Sequence, residues 1–466
     1  MNRDRLVPLI VAVALFMENM DSTVIATSLP AIANDIGTNP LALKLAVTSY
    51  LLSLAVFIPM SGWTADRFGA RKVFATAIAV FVLGSIGCAL SGSLSDFVIA
   101  RIVQGMGGAM MTPVGRLVLV RSVDKRALVD AMAWVSMPAM IGPITGPPLG
   151  GFITTYASWH WIFIINVPIG LLGIVLALRY IEDVRIALRD PFDLIGMILA
   201  AISVAGLAFG CSVLGVGVVP WPLAGGLIAI GAVALAFYLR HARKVPAPVL
   251  DFSLLALPTF RASVIGGFLF RMGIGALPFL LPLLLQVGFN FTPFESGLTT
   301  FSSTLGAFTM KTVAARILKR FGFRPVLIVN AVVSAAFLGA CAWFSAATPF
   351  ALMVAVLLVG GFFRSLQFTS TNVLAYAQVD QQRMSRATAL AAVGQQLSLS
   401  AGVALGGATV ELTLWSKSEA TITAGDFPPA FLLIAAISAV SAFIFARLPP
   451  DAGAELAHRT PPGEAK

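Results

Sequence analysis

GWTADRFGARK, residues 62–72, closes one long apolar run and leads into the next. The run before it covers 45–64 and the run after it 73–92. Each is close to the roughly 20 residues that an α-helix needs to cross a hydrocarbon core. A short basic loop between two such runs has the form of a cytoplasmic turn in a polytopic membrane protein. The same alternation recurs from Val7 to Leu448 with only short breaks.

Composition agrees with that reading. The 466 residues are 58% hydrophobic and 11% charged, with a mean hydropathy of +0.91. A soluble domain carries about 25% charged residues, so this chain has too little polar surface to cover a water-soluble globule. The net charge of +10 invites a nucleic-acid reading. The basic residues sit in short loops and form no continuous face, which excludes it. Cys88, Cys211 and Cys341 each fall inside an apolar run and read as packing, with no disulfide and no metal site. His160, His241 and His458 are far apart and form no triad or zinc cluster, so an enzyme is not expected. The run 7–29 is too long for a signal-peptide core and carries Glu18 and Asp21, so it reads as a retained first helix.

Fourteen spans are expected, at 7–29, 45–64, 73–92, 96–118, 129–153, 159–180, 192–214, 219–239, 261–286, 297–318, 324–344, 350–378, 390–412 and 428–448. With the N-terminus cytoplasmic, inward segments hold 24 of the 31 basic residues. They include Arg67, Arg71, Lys72, Arg121, Lys125, Arg126, Arg240, Arg243, Lys244, Arg316, Lys319, Arg320 and Arg324. Outward loops hold Lys44 and Lys417, and five bases lie inside helices. This bias places both termini in the cytoplasm. FGAR at 68–71 recurs as FGFR at 321–324, and Gly146, Gly150 and Gly151 recur as Gly402, Gly406 and Gly407. The similar offsets suggest two parallel halves, helices 1–6 and 9–14, with helices 7 and 8 as an inserted hairpin. The expected domains are therefore 1–185, an N-terminal six-helix bundle; 186–245, the accessory pair; 246–450, a C-terminal six-helix bundle; and 451–466, a short tail.

Several motifs carry a family resemblance. The loop at 62–72 resembles the signature of the major facilitator superfamily, with Gly62, Asp66, Arg67, Gly69 and Arg71 as its gating residues. There Asp66 would cap or pair with a neighbouring helix end, and Arg67 and Arg71 would latch a closed state. Ala70 stands where a basic residue is usual, and the second copy, RILKRFGFRP, lacks the acid. A plain positive-inside loop remains the alternative. IGPITGPPLGG at 141–151 resembles the antiporter motif of drug-exporting facilitators, through Gly142, Pro143, Gly146, Pro147 and Gly150. Glycines at i, i+4 and i+8 form a stripe without side chains that lets another helix approach, and generic packing would use the same stripe. MDSTVIATSLP at 20–30, RIVQGMGG at 101–108 and WHWIFIINVPIG at 159–170 resemble the fourteen-helix drug:proton antiporter branch, the EmrB/QacA type. ASWHWIF, GAMMTPVGRL and FIFARLPPD are similar to its MdtD-type subgroup.

Seven charges lie inside spans: Glu18, Asp21, Arg101, Arg116, Arg271, Lys311 and Arg364. Intramembrane charge is costly, so its default reading is functional. Six of the seven fall on helices 1, 4, 9 and 12, the helices that line the cavity in the facilitator fold. Arg116 is placed to snorkel as readily as to face a cavity, and Arg101 to pair structurally. Glu18 and Asp21 share a face at i, i+3. Two carboxylates in a low-dielectric site do not readily ionise together, so this pair is the expected proton-coupling site, with either acid as the main carrier. Gln367 and Asn372 in RSLQFTSTN can bond a polar ligand or tie helices together.

The resemblance implies a multi-pass protein of the bacterial cytoplasmic membrane. It would export small molecules by alternating access, multidrug-type, driven by the proton gradient and without a cofactor. Lipid, substrate and protons are its expected partners, and a periplasmic adaptor is left open. The alternatives are export of a specific anionic metabolite or metal chelate, which the excess of bases on the cavity helices suggests, and a non-transporting membrane sensor.

Overall fold

The computed structural model describes residues 3–122, 128–182, 192–213, 220–380, 383–417 and 421–455. Lys125, Arg126, the loops 183–191 and 214–219, and the tail 456–466, all of which entered the orientation argument, lie outside the described residues. Regular structure among the described residues is helical. In chain order the long helices, including short 3-10 or π ends, are α1 (Leu6–Thr27), α2 (Pro40–Phe68), α3 (Ala70–Ala89), α4 (Leu94–Ser122), α5 (Leu128–Tyr156), α6 (Trp161–Tyr180), α7 (Leu194–Val213), α8 (Trp221–Ala242), α9 (Pro258–Gly288), α10 (Pro293–Lys311), α11 (Phe323–Trp343), α12 (Phe350–Ala375), α13 (Met384–Lys417) and α14 (Ala424–Ala446).

Twelve of these are long and apolar enough to cross a membrane. The other two are α5, of 29 residues, and α10, of 19. The polarity of α10 is written in its sequence, where seven serines and threonines stand between Glu295 and Lys311. Many large apolar side chains stay exposed on the outer helix faces, Leu83, Leu171, Val175 and Phe443 among them. In a chain of this hydropathy such faces are lipid-facing.

Contacts divide the chain into two units, and in each the helices pair in one pattern. In the first unit, which holds α1–α8, α1 packs on α5 and α6, and α3 on α4 and α6. In the second, α9 packs on α13 and α14, and α11 on α12 and α14. Those pairs are the ones that the sequence repeat places in register. Helices α7 and α8 pack on each other, and α7 also packs on α2. Only 28% and 22% of their most apolar windows are buried, against 78% for α9, so the pair is peripheral to its unit.

The quoted loop is a single-residue corner. α2 ends at Phe68, Gly69 takes φ +93°, and α3 starts at Ala70. A side chain at such a φ is strained, which accounts for the glycine. Gly322 repeats the corner at φ +80° between the short helix Ala314–Phe321 and α11. Two bases lie elsewhere than expected or do more than orient the chain. Lys44, expected in an outward loop, begins the regular α-helical part of α2 and is fully buried. Arg324 donates from Nη2 to the Ala446 carbonyl at 2.9 Å, capping the end of α14.

Candidate transport site

The polar centre of the first unit is built on α1. Asp21 is fully buried, and its two carboxylate oxygens accept from three directions. Arg101 of α4 donates from Nη1 to Oδ2 at 2.9 Å, forming a buried ion pair. Gln104, one turn further along α4, donates from Nε2 to Oδ1 at 2.9 Å. Asn166 of α6 donates from Nδ2 to the same Oδ1 at 2.9 Å. Ser85 of α3 accepts from Gln104 at 2.8 Å and from Asn166 at 3.3 Å. The Arg101 guanidinium also donates to Gln104 Oε1 at 2.5 Å and lies 4.2 Å from the centroid of the Tyr50 ring on α2. One closed network thus ties together α1, α2, α3, α4 and α6. A buried charge is stable when it is both paired and hydrogen-bonded, and Asp21 and Arg101 meet both conditions, with only Arg101 Nε–H of the pair left buried without an acceptor.

Glu18 stands outside this network. It lies one turn earlier on α1, is half-buried, and accepts from the Thr112 hydroxyl of α4 at 2.6 Å. Among the described residues no base lies within ion-pair distance of it. The two acids predicted as a pair therefore occupy different environments, one closed by a base and the other held by a hydroxyl. Arg116, four residues beyond Thr112, is exposed.

In the second unit the intramembrane arginines Arg271 and Arg364 have no such counter-charge among the described residues. Arg271 of α9 is 5% exposed and donates from Nη2 to Asn372 Oδ1 of α12 at 2.8 Å. Its guanidinium lies 5.5 Å from the Phe368 ring centroid. Arg364 of α12 is half-buried and donates to the Ser303 hydroxyl of α10. Neither arginine has a carboxylate within ion-pair distance among the described residues. Gln367 is fully buried and donates to the Leu327 carbonyl of α11 at 3.1 Å, which places it in helix packing. Lys311 is exposed at the end of α10, away from these groups.

The glycine stripe of α5 lies against α1. A Cβ on Gly142 would come within 3.0 Å of the Met20 amide and the Phe16 carbonyl. One on Gly146 would overlap Thr23, and one on Gly150 the Val24 carbonyl. Pro143, Pro147 and Pro148 alternate with these glycines and are themselves half-buried or buried. The second unit repeats the arrangement, since a Cβ on Gly402 of α13 would overlap the Met272 carbonyl of α9. Of the loop motif, Gly62 and Arg67 are exposed, Asp66 is half-buried, and Arg71 is half-buried with its Nε–H buried and without an acceptor.

The Major Facilitator Superfamily model matches residues 11–260 and 263–464. The chain belongs to that superfamily. It is 40% identical over 453 residues to the "Putative multidrug resistance protein MdtD" of Salmonella paratyphi B, covering 95% of this chain and 94% of the relative. Among solved structures it is similar to a D-xylose-proton symporter, with a TM-score of 0.67, 15% identity and coverage of 96% and 98% of the two chains. It is also similar to the nucleoside transporter NupG, with a TM-score of 0.64, 15% identity and the same coverage. At those identities the solved structures establish the fold alone.

In this facilitator, sequence reasoning singled out both acids and Arg101 but missed Gln104, Asn166, Ser85, Tyr50 and Thr112. Gln104 and Asn166 sit inside the stretches RIVQGMGG and WHWIFIINVPIG, and an amide within an apolar span was a readable signal. Ser85, Tyr50 and Thr112 carry no such mark, because hydroxyl residues are common in spanning helices, where they bond their own backbone.

Proposed function

We propose that this facilitator exports small molecules across the cytoplasmic membrane in exchange for protons, by alternating access, with Glu18 carrying the proton. The observation behind this reading is the contrast on α1. Asp21 is locked to Arg101, Gln104 and Asn166, whereas Glu18 is held by one hydroxyl and faces no paired base. A proton arriving at Glu18 would neutralise a charge that no base contacts directly among the described residues. At Asp21 it would leave Arg101 buried without its partner, which is costly. Thr112 suits either state of Glu18, because a hydroxyl donates to a carboxylate and accepts from a carboxylic acid. The glycine contact of α5 with α1 lies beside the same stretch, so movement of α5 would be felt at both acids.

The name of the 40%-identical relative supports a multidrug-type substrate range. The topology proposed with this function has fourteen crossings, both termini cytoplasmic, and α5 and α10 crossing with the twelve apolar helices. Residues 1–185 and 246–450 form the two six-helix halves, and 186–245 carry the accessory pair α7–α8. The test is transport in proteoliposomes with an imposed pH gradient, using a panel that includes ethidium, tetraphenylphosphonium and succinate. Accumulation of a panel member that collapses with a protonophore supports proton coupling. Transport that is indifferent to the pH gradient and follows sodium or substrate gradients alone refutes it.

A further inference from the structure

Arg271 is a buried charge of the second unit with no carboxylate within ion-pair distance among the described residues, and the residues around it form a small opening. Its side chain runs back along α9, as helical side chains do, so that Nη1 lies over Gly267. A Cβ on Gly267 would come within 2.7 Å of that nitrogen and 2.8 Å of Thr371 Cγ2. Glycine at 267 therefore makes room for the guanidinium. Nη2 is used by Asn372, while Nε–H is buried and has no acceptor. The hydroxyl of Ser263, 1% exposed, is also buried without a partner. Ser263 sits in a π-helical turn, Ala262–Gly266, that interrupts α9 just before Gly267, and such interruptions are frequent at functional sites. Ser263, Val264, Arg271, Asn372, Tyr376 and Gly394 line one cavity, which in this conformation admits about one water-sized group.

A buried guanidinium without a carboxylate is costly in a membrane. Helix packing alone would be served better by an apolar residue of similar volume. Among the described residues no carboxylate plays for Arg271 the part that Asp21 plays for Arg101. Two unused donors, Nε–H and Ser263 O–H, belong to residues that line one small cavity beside a fixed positive charge, and both atoms are buried. That donor set suits a carboxylate, whose two oxygens accept from a guanidinium edge and a hydroxyl. We propose that this cavity, widened as the carrier opens, is an anion subsite that takes the carboxylate group of a transported small molecule, with Arg271 and Ser263 as its donors and Asn372 and Gly267 fixing the guanidinium. This deepens the export reading by naming a substrate class, and it rests on that reading only for the word transported.

The test is binding to the full-length protein in detergent, read by thermal shift and calorimetry, with succinate and benzoate as probes. Chloride at equal ionic strength and tetraphenylphosphonium serve as controls. Saturable stabilisation by at least one carboxylate, absent with both controls, is expected in the wild type. Arg271→Gln should abolish it, and Ser263→Ala should weaken it about tenfold, as the loss of a hydrogen bond to a charged group does. Gly267→Ala should also weaken it, by displacing the guanidinium. If Arg271→Gln does not fold, Arg271→Lys keeps the charge and loses the planar edge, and an unchanged affinity in it overturns the proposal. So does equal stabilisation by chloride, or the absence of carboxylate binding. Proton-driven transport of tetraphenylphosphonium without carboxylate binding would overturn the subsite and leave the export reading standing. Carboxylate binding without any proton-driven flux would do the reverse.

Discussion

Asp21→Asn replaces one oxygen of the buried network by an NH2 group and removes its negative charge. The introduced amide can still offer an oxygen to Gln104 and Asn166, which both donate to Oδ1 in the wild type. On the Oδ2 side its NH2 group would point donors at Arg101 Nη1, which donates there now. Both partners are essentially unexposed, at 0% and 1%, so water cannot take over. Removing one partner of a buried pair costs about 3–5 kcal/mol, because the other charge is left unpaired. The Tyr50 ring does not offset that, since its contact with Arg101 is already made in the wild type. The expected loss is therefore about 3–5 kcal/mol. Adding Arg101→Met should restore most of it, because the uncompensated charge goes too. Equilibrium unfolding of the four proteins of this cycle in mixed micelles measures both numbers. A single-variant loss below about 1 kcal/mol, the size of an exposed pair, or a double variant weaker than Asp21→Asn alone, would refute the assignment of a buried, mutually dependent pair.

Three further outcomes follow from the same geometry. Gly146→Leu should strongly reduce transport and stability, because even a Cβ there overlaps Thr23, whereas Gly62→Ala should fold normally, with no atom within 4 Å of the added carbon; flux and melting temperature of the two variants check this, and a normal Gly146→Leu would contradict it. Gly69→Val should destabilise by about 1–2 kcal/mol through the strain of a β-branched residue at φ +93°, and a thermal melt no lower than that of Gly62→Ala would contradict it. A single cysteine at position 185, in a background without Cys88, Cys211 and Cys341, should resist membrane-impermeant maleimide in intact cells; labelling from outside would contradict fourteen crossings with cytoplasmic termini.

The helices were legible because each apolar run is a bilayer thickness long and is closed by a charged or glycine-containing loop. The corners at Gly69 and Gly322 were legible for the same reason, since a lone glycine between two helical patterns marks a backbone that bends. Helix α10 was harder, because Thr299, Thr300, Ser302, Ser303 and Thr304 dilute its hydropathy while Ser303 meets Arg364. The acids could be found by their cost in a membrane. Their division of labour could not, because it depends on Arg101 reaching Asp21 across 80 positions and on Thr112 reaching Glu18 across 94. Sequence also offered Gln367 and Asn372 as equivalent polar residues. Five positions apart on one helix, they face different neighbours, so Gln367 meets the Leu327 carbonyl while Asn372 meets Arg271.

In the proposed mechanism Glu18 carries the exchanged proton while Asp21 holds the helices together. The most direct measurement compares Glu18→Gln with the wild type in proteoliposomes, following both pH-gradient-driven accumulation and substrate counterflow at uniform pH for one transported panel member. Counterflow needs the carrier to cycle but no net proton movement. Glu18→Gln is expected to retain counterflow and to lose gradient-driven accumulation. Gradient-driven accumulation at the wild-type level in Glu18→Gln would contradict it and move the proton to another group.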